Sequence, residues 1–523
     1  MKVVNLERTS GSGIQAALSY LRSHPSYVFY AFCVFVVVRF FYNRYASPLR
    51  HYPGPFLASG TRLWKLCVTL QMHQETAYID LHKKYGPIVR TSPRSLSFAR
   101  PAAARQILSA GKGFHKTPFY AVFPPPGNPD IFTETREAAH ALKRRAAGPS
   151  YAMAAMQGLA DRVEAVIGIL GRRLDGFCSA GVGEKGVNGQ VVDLGAWLHF
   201  FAFDVLGEVA FGRPWGFLAE GRDVEGCIAA IDESQRYNGA VGQLPPLDWA
   251  LRRNPVWRAW QAVVPGAQPL VTRIAREELG KRRIGGTGEG KTAAEGRDLL
   301  AQLLRAHEKD PVRFTEQDVF AVTHGAIFAG SDSTASTMQS FLHHVLRDAR
   351  IHARLVAEID AAPLSPVVAF NEAQQHLPYF QACLKETMRL RPAVGLAMAR
   401  FVPAGGAEID GARLPAGTEL DVHAWAVHRD EAMFGSDAEA FRPERWLEDG
   451  ERARVMDRHM FQFGGGSHVC IGKNLALLEM NKVLPMLLRD YEMELVHPER
   501  DLEFHTYFFV VQSGLDVRIS KRV

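Results

Sequence analysis

A glycine-rich segment around one cysteine constrains this chain more than any other feature. The segment reads FQFGGGSHVCIGKNLALLEM and places Phe463, Gly466, Cys470 and Gly472 at the spacing F-x-x-G-x-x-x-C-x-G. Its glycines permit a tight turn and a close approach to a flat partner, because they carry no side chain. The apolar run from Leu475 predicts a helix, whose N-terminus should lower the pKa of the cysteine and favour a thiolate. The segment predicts a metal-binding cysteine rather than a small buried apolar residue.

The remaining cysteines and the charges exclude several classes of protein. The chain contains six cysteines without a CxxC pair: Cys33, Cys67, Cys178, Cys227, Cys383 and Cys470. This spacing argues against a disulfide framework, a zinc ribbon and an iron–sulfur cluster. The net charge is +6, from 61 Lys and Arg against 55 Asp and Glu, without a basic stripe interleaved with aromatic residues. We therefore expect no nucleic-acid partner.

Residues 285–292, GGTGEGKT, satisfy the phosphate-loop pattern GxxxxGK[ST]. A phosphate loop requires a buried strand before it, so that backbone N–H groups converge on the phosphates. The preceding residues AREELGKRRI are charged and helical in pattern. We interpret the stretch as an exposed connection and not as a nucleotide site.

The N-terminal part of the chain contains an apolar run. Residues 27–42 read YVFYAFCVFVVVRFFY, sixteen residues broken only by Arg39. At about 1.5 Å per residue they span roughly 24 Å, slightly less than a hydrocarbon core of about 30 Å. The following residues do not resemble a cleavage site, which favours a retained anchor over a signal peptide. Arg39, Arg44 and Arg50 then predict a cytosolic body. We divide the chain into an N-terminal segment (1–26), a transmembrane anchor (27–42), a proline-rich hinge (43–56) and one large domain (57–523).

Helical periodicity dominates the large domain. Apolar positions recur at three- and four-residue steps in DRVEAVIGILGRRL, VFAVTHGAIFAG, YFQACLKETMRL and NLALLEMNKVLPMLL. Strand-like alternation is confined to the short pieces PIVRTSP, SLSFA and GLDVRIS. The expected fold class is mainly α with small β-sheets.

Further motifs accompany the cysteine segment in a fixed order. AGSDST spans 329–334, KETMRLRP carries Glu386 and Arg389, and FRPERW carries Arg445. Together with the cysteine segment, these motifs resemble the cytochrome P450 family over about residues 45–523. Their residues are most similar to those of filamentous-fungal microsomal members. The resemblance implies the P450 fold, with Cys470 as the axial thiolate ligand of a haem b iron.

The same resemblance implies roles for the other motif residues. Glu386, Arg389 and Arg445 match the buried triad that supports the haem pocket. Asp332 and Ser333 match the positions that relay protons to dioxygen, where Ser333 replaces the usual threonine and Thr334 is the alternative hydroxyl. Serine keeps the hydroxyl but lacks the methyl that fixes its rotamer, so some uncoupling is expected. The remaining implied cofactor contacts are Phe463, Gly466 and Gly472 in the loop, with His140, Arg144, Arg400 and His468 near the haem propionates; His140 stands where tryptophan is common.

The implied activity is monooxygenation, namely hydroxylation, epoxidation or demethylation, in fungal secondary metabolism or detoxification. The implied partners are a separate NADPH-dependent reductase, membrane lipid and a small hydrophobic substrate, and the implied location is the endoplasmic reticulum membrane, single-pass, with the catalytic domain cytosolic. Substrate contacts are expected from residues 114–127, 324–328, 394–398 and 507–509. Residues 244–260, with tryptophans among basic residues, are interpreted either as a membrane-facing entrance or as a buried loop. Two alternatives stay open: isomerisation or dehydration without net oxygen insertion, and a non-enzymatic haem sensor.

Overall fold

The computed structural model describes residues 25–125, 127–180, 189–264, 268–285 and 296–522. Helices form most of this part of the chain, and their bounds are α1 (Pro25–Tyr45), α2 (Phe56–Gly60), α3 (Leu63–Leu70), α4 (Gln74–Tyr85), α5 (Pro101–Leu108), α6 (Glu137–Ala147), α7 (Met153–Gln157), α8 (Ala160–Ala180), α9 (Leu194–Phe211), α10 (Phe217–Glu220), α11 (Cys227–Gly242), α12 (Pro246–Leu251), α13 (Pro255–Val263), α14 (Leu270–Gly285), α15 (Leu299–Lys309), α16 (Glu316–Gly330), α17 (Asp332–Arg347), α18 (Ala349–Ala361), α19 (Phe370–His376), α20 (Pro378–Leu390), α21 (Ala424–Val427), α22 (Glu431–Phe434), α23 (Gly450–Asp457) and α24 (Lys473–Asp490).

The strands are short, and their bounds are β1 (Ile88–Ser92), β2 (Ser95–Phe98), β3 (His115–Lys116), β4 (Gln190–Asp193), β5 (Met398–Phe401), β6 (Ala407–Ile409), β7 (Ala412–Leu414), β8 (Glu419–Val422), β9 (Tyr491–Leu495), β10 (Glu503–Thr506), β11 (Val510–Ser513) and β12 (Asp516–Lys521). The largest sheet has the order β1-β2-β8-β5-β3, in which only β2 and β8 run parallel. A second sheet has the order β4-β12-β9, and β6-β7 and β10-β11 form two-stranded pairs. The predicted fold class, mainly α with small sheets, is confirmed.

The segments with helical periodicity all form helices, namely α8, α16, α20 and α24, and the alternating pieces form β1, β2 and β12. One large apolar cluster joins α8, α9, α17, α20 and α24. Helix α9 is long and apolar enough to cross a membrane, but 72% of it is buried inside the fold. It is therefore a core helix.

Helix α1 extends the predicted apolar run at both ends, and none of its residues over Ser26–Tyr45 is buried. Its 21 residues span about 31 Å at 1.5 Å per residue, enough to cross a hydrocarbon core. The chain after it is less free than the predicted hinge. Leu49 is buried, and the backbone N–H of Arg90 donates to Pro53 O at 2.7 Å, so the proline-rich residues lie against β1.

The predicted exposed connection at 285–292 follows directly on α14, a helix and not a strand. Residues 286–292 lie outside the described residues. The helix before them agrees with the pattern that argued against a phosphate loop.

Candidate active site

The Cys470 loop lies just before α24, three residues from its first residue, Lys473. The backbone N–H groups of Gly472 and Lys473 donate to the cysteine sulfur. The backbone N–H of Cys470 donates to Phe463 O at 2.7 Å, which closes the loop. A Cβ at Gly472 would lie 3.9 Å from the sulfur, so the glycine keeps the side of the sulfur clear.

Gly466 lies where the backbone conformation and a close neighbour both require a glycine. Its φ is +60°, and a Cβ there would lie 2.2 Å from Leu108 O, at the end of α5. The close approach predicted for this glycine is therefore to the protein backbone. The Cys470 loop therefore packs between the end of α5 and the start of α24.

The prediction that the helix N-terminus lowers the Cys470 pKa is wrong as a net effect. Burial raises the pKa of the thiol above its usual value, although the Gly472 and Lys473 amides and the Arg144 charge lower it in part. Coordination to a metal ion deprotonates a thiol outright. The thiolate form at this position therefore depends on the metal more than on the helix.

One cavity connects the Cys470 loop with α16 and α17. Cys470 and Ala329 lie deep in the fold, yet both side chains are exposed, because both border this cavity. Most of its wall is apolar: Ile131, Phe132, Leu206, Leu299, Val322, Phe328, Val394, Leu396, Phe508 and Phe509. The expected substrate segments thus meet here, with exceptions. His324 and Tyr507 do not border the cavity, and His324 is buried beside Thr272.

The distal wall of the cavity carries a break in a long helix. Helix α16 ends at Gly330 and α17 begins at Asp332. Ser333 Oγ donates to Ala329 O at 2.9 Å, and Thr334 Oγ1 donates to Gly330 O at 3.2 Å. Both hydroxyls thus bond to carbonyls one turn back along the helix, and both residues border the cavity.

Gly330 makes room for a neighbouring helix as well as for the cavity. A Cβ at Gly330 would lie 3.1 Å from Leu206 Cδ1 of α9. Close packing of α9 is therefore one reason for a glycine at this position.

Glu386, Arg389 and Arg445 come together as the sequence predicts. The Glu386 carboxylate accepts two bonds from Arg389, both 2.9 Å, and one from Arg445 Nε at 2.8 Å. Trp446 Nε1 donates to the same carboxylate at 2.9 Å. These charged side chains are almost fully buried, and Arg445 reaches Asp437 at 2.9 Å on its outer side.

The triad is connected to the Cys470 loop through His428. Arg389 Nη1 donates to His428 O at 2.8 Å, and His428 Nε2 accepts the backbone N–H of Phe461 at 2.8 Å. Phe461 lies at the start of the glycine-rich segment. Burial lowers the pKa of His428 to about 3, so its ring is neutral and can accept this bond.

A family model described as Cytochrome P450 matches residues 53–515. Cytochrome P450 monooxygenase cicH of Emericella nidulans is 33% identical over 503 residues, which cover 94% of this chain and 97% of that protein. Pisatin demethylase of Fusarium vanettenii is 32% identical over 477 residues, 90% of this chain and 88% of that protein. Cytochrome P450 monooxygenase gsfF of Penicillium aethiopicum is 32% identical over 511 residues, 93% of this chain and 96% of that protein. The chain belongs to the cytochrome P450 family.

P450 proteins hold a haem iron through a cysteine thiolate, and the side chains around this cavity fit that group. His140 and His468 lie with ring centroids 4.2 Å apart, and His140 Nε2 and His468 Nδ1 are buried atoms without a hydrogen-bond partner among the described residues. Arg144, Arg400 and Lys116 border the same cavity. The cations suit the two carboxylates of a haem, whereas His468 Nε2 already lies 3.1 Å from the Glu137 carboxylate.

All three of these cations have additional partners in the P450 fold. Arg144 Nη1 donates to Val469 O, next to Cys470, so it also holds the loop. Arg400 Nη1 donates to Tyr120 Oη at 2.6 Å. Lys116 was not singled out from the sequence. Burial and the Arg400 charge lower its pKa to about 7, and its ammonium donates to Phe132 O at 2.7 Å.

Asp332, unlike Ser333, faces away from the P450 cavity. Its carboxylate accepts from His199 Nε2 at 2.8 Å and from Gln235 Nε2 at 2.5 Å. The Gln235 amide oxygen in turn accepts the backbone N–H of Phe509 at 2.9 Å, and Phe509 borders the cavity. Sequence reasoning missed His199 and Gln235. The one available signal was a histidine inside the otherwise apolar run LGAWLHFFAFDVLGEVAF.

The His199–Asp332 pair is expected to make stability pH-dependent. Burial lowers the pKa of His199, but the hydrogen bond and charge of Asp332, with the charges of Asp232 and Asp223, raise it above the usual value. A raised folded-state pKa gives stability that is complete below the unfolded pKa of about 6.5 and is lost as the pH rises through the folded pKa. His199→Gln keeps a donor but cannot titrate. We expect it to be less stable than wild type by about 1 kcal/mol at pH 6, with a smaller difference at pH 9.

The measurement is thermal unfolding of both holoproteins across this pH range. Asp232 titrates nearby, because burial and the Asp332 charge raise its pKa to about 7. Asp232→Asn in both backgrounds therefore serves as the control. A stability difference that does not change with pH would contradict the protonated pair.

Proposed function

We propose that this P450 protein inserts one oxygen atom of dioxygen into a hydrophobic organic molecule. The balanced reaction is RH + O2 + NADPH + H⁺ → ROH + H2O + NADP⁺, with electrons delivered by a separate reductase. The haem-thiolate iron supplies the reductive activation of dioxygen and the transfer of its oxygen atom. The observation that carries the proposal is a single apolar cavity bordered by the Cys470 sulfur on one wall and the broken helix at Ala329–Ser333 on the other.

The chain's own residues have three tasks in this reaction. Phe132, Phe328, Phe508 and Phe509 exclude water and orient an apolar substrate, with the Phe132 and Phe508 rings 5.2 Å apart. Ser333 offers a hydroxyl at the cavity surface and keeps the helix open by bonding Ala329 O. Asp332 lies behind it and accepts hydrogen bonds from Gln235 and from His199, which is the titratable partner through which this carboxylate can exchange a proton.

The distal wall favours oxygen insertion over isomerisation or dehydration. Both alternative reactions lack a step that consumes protons at the distal face, and they need neither a hydroxyl nor a carboxylate there. This chain has the Ser333 and Thr334 hydroxyls at the cavity surface and the Asp332 carboxylate behind them, facing away from the cavity. A sensor without turnover would likewise have no use for this group.

The test is NADPH-driven turnover of the reductase-supported holoenzyme in ¹⁸O2, with candidate apolar substrates and mass analysis of the products. One labelled oxygen atom per turnover is expected, in the hydroxylated or epoxidised product or, for a demethylation, in the one-carbon aldehyde that is released. Ser333→Ala should lower the amount of product per NADPH roughly tenfold and raise the amount of hydrogen peroxide. This decrease is smaller than the one typical of losing a general acid, because water in the groove replaces the serine hydroxyl in part. Ser333→Thr is the matched control that restores a fixed hydroxyl. Products without label would contradict the proposal.

The relatives support a role in secondary metabolism, since one is a pisatin demethylase and others are fungal monooxygenases.

Membrane attachment through α1 is supported by a second exposed apolar surface. Trp249 is 66% exposed and Val256 79%, and Arg62, just before α3, donates to Gln243 O near the start of α12. This surface therefore lies beside the base of α1. We propose that the protein is held on the endoplasmic reticulum membrane, and sedimentation with microsomes after a carbonate wash tests it.

A further inference from the structure

Asp130 places a carboxyl group at the edge of the cavity. It lies in the turn before α6 and is only 8% exposed. Its Oδ1 atom accepts the backbone N–H and the hydroxyl of Thr133, both at 2.7 Å, and so fixes the turn. Its Oδ2 atom has no hydrogen-bond partner among the described residues, and the residue borders the cavity. One oxygen therefore has a structural partner and the other is available.

Gly325 of α16 allows this carboxyl to approach the distal helix. A Cβ at Gly325 would lie 2.2 Å from Asp130 Oδ2 and 3.3 Å from Asp130 Cβ. A glycine inside a helix makes the helix about 1 kcal/mol less stable than an alanine does. At Gly325 this loss of helix stability accompanies the space that the Asp130 carboxyl occupies. Gly325 precedes Ala329 by one turn, about 6 Å along the helix axis. The free oxygen is thus within reach of a molecule that lies against Ala329.

The cavity around the Asp130 carboxyl is mostly apolar, and Glu479 of α24 is a second carboxyl on its wall. Phe132, Phe328 and Phe508 border the same cavity, and the carboxyl is the acidic group that faces it from the turn before α6. A buried acceptor without a donor costs about 1–3 kcal/mol. A donor group on the substrate removes that cost, and an apolar group in the same place does not.

The charges near Asp130 decide which donor fits. Burial raises the pKa of its carboxyl, although the Thr133 bonds and the charges of Lys116 and Lys143 lower it in part. Lys116 Nζ is bonded to Ile131 O and Phe132 O, and Lys143 Nζ lies 3.3 Å from Asp318 and 3.5 Å from Glu134. Two cations already adjoin the carboxyl, which disfavours a cationic amine. A neutral O–H group bonds to Oδ2 without adding positive charge.

We propose that Asp130 Oδ2 anchors a neutral hydroxyl group, an alcohol or a phenol, on an otherwise apolar substrate of this cavity. The proposal rests on the monooxygenase function proposed above and names the substrate class of that site. Asp130 acts in specificity, because it orients the substrate about one helical turn from the break at Gly330.

The test compares binding of matched probes to the ferric holoenzyme by Soret difference spectra. The pairs are 2-naphthol with 2-methoxynaphthalene, and estrone with estrone 3-methyl ether. The two pairs differ in size, and within each pair only one member has an O–H donor. The wild type should bind the hydroxyl member of at least one pair at least about tenfold more tightly, as expected for a hydrogen bond to a charged or polarised acceptor. Asp130→Asn keeps an oxygen for Thr133 and replaces the free acceptor with N–H donors. Its preference should fall below about twofold.

Two further variants separate the anchor from the turn. Thr133→Ala weakens the turn but leaves Oδ2, so the preference for the hydroxyl member should persist. Gly325→Ala pushes a methyl group against Oδ2 and should reduce the preference while Asp130 is intact. An unchanged preference in Asp130→Asn, or no hydroxyl preference in either wild-type pair, including no binding at all, overturns the proposal.

This outcome is independent of the oxygen-insertion test. Binding spectra need no turnover, so unlabelled products together with an intact hydroxyl preference would overturn the proposed function alone. Labelled products with no effect of Asp130→Asn on the preference would overturn the anchor alone.

Discussion

Replacing Cys470 with alanine is expected to abolish both thiolate ligation and oxygen-dependent turnover. Cys470 is the one cysteine that borders the cavity within the described part of the chain. The neighbouring amides of Gly472 and Lys473 point at its sulfur. The other sulfur atoms on the cavity wall are methionine thioethers, which cannot supply a thiolate. Thiolate ligation gives the reduced carbon-monoxide complex a far-red-shifted Soret band. That band should be present in the wild type and absent in Cys470→Ala.

The matched control is Cys67→Ala, which removes an exposed thiol of α3. Its carbon-monoxide spectrum and its turnover should equal those of the wild type. A wild type without the shifted band, or a Cys470→Ala protein that keeps it, would show that another residue holds the iron. Far-ultraviolet circular dichroism of each variant separates a lost ligand from a lost fold.

Replacing Glu386 with glutamine is expected to have the largest effect on stability. The substitution keeps size and shape but leaves the guanidinium groups of Arg389 and Arg445 without their shared carboxylate, at 0% and 2% side-chain exposure. Removing one partner of a buried ion pair costs about 3–5 kcal/mol, because the remaining charge stays buried. The His428 link to Phe461 should weaken with it, so haem should also be lost at a lower temperature.

The measurement is the midpoint of thermal unfolding, followed at the Soret band and by circular dichroism. Glu451→Gln is the matched control, since Glu451 forms an i,i+3 pair with Arg454 in which both side chains are more than 70% exposed. Such a pair contributes about 0–1 kcal/mol. If Glu386→Gln unfolds at the same temperature as Glu451→Gln, the triad does not stabilise the pocket.

The parts of the site that could be predicted are those with local sequence patterns. The Cys470 loop and the Glu386–Arg389 pair lie within single short segments, so spacing alone places their side chains on one face or one turn. The hydroxyl bonds of Ser333 and Thr334 are equally local, four residues back along the helix.

The parts that could not be predicted depend on packing between distant segments. His199 and Gln235 reach Asp332 from helices 133 and 97 residues earlier in the chain, and no spacing rule connects them. Gly325 looked like any glycine in a helix, and its role follows only from Asp130, nearly 200 residues earlier. The net pKa of Cys470 was mispredicted for a related reason, since burial is a property of the whole fold.

The joint between α1 and the body has a mechanical consequence. Arg90, buried at 2% exposure, donates to the carbonyls of Asn43 and Arg44, and Asn43 donates to Gly60 O at 2.9 Å. The Phe40 and Phe56 rings lie 5.2 Å apart beside these bonds. A flexible linker would let the catalytic domain rotate relative to α1. These bonds instead fix the orientation of α1 relative to the domain. A bilayer that gripped α1 would hold the whole body at one tilt, with its rotational freedom reduced to spinning about the membrane normal.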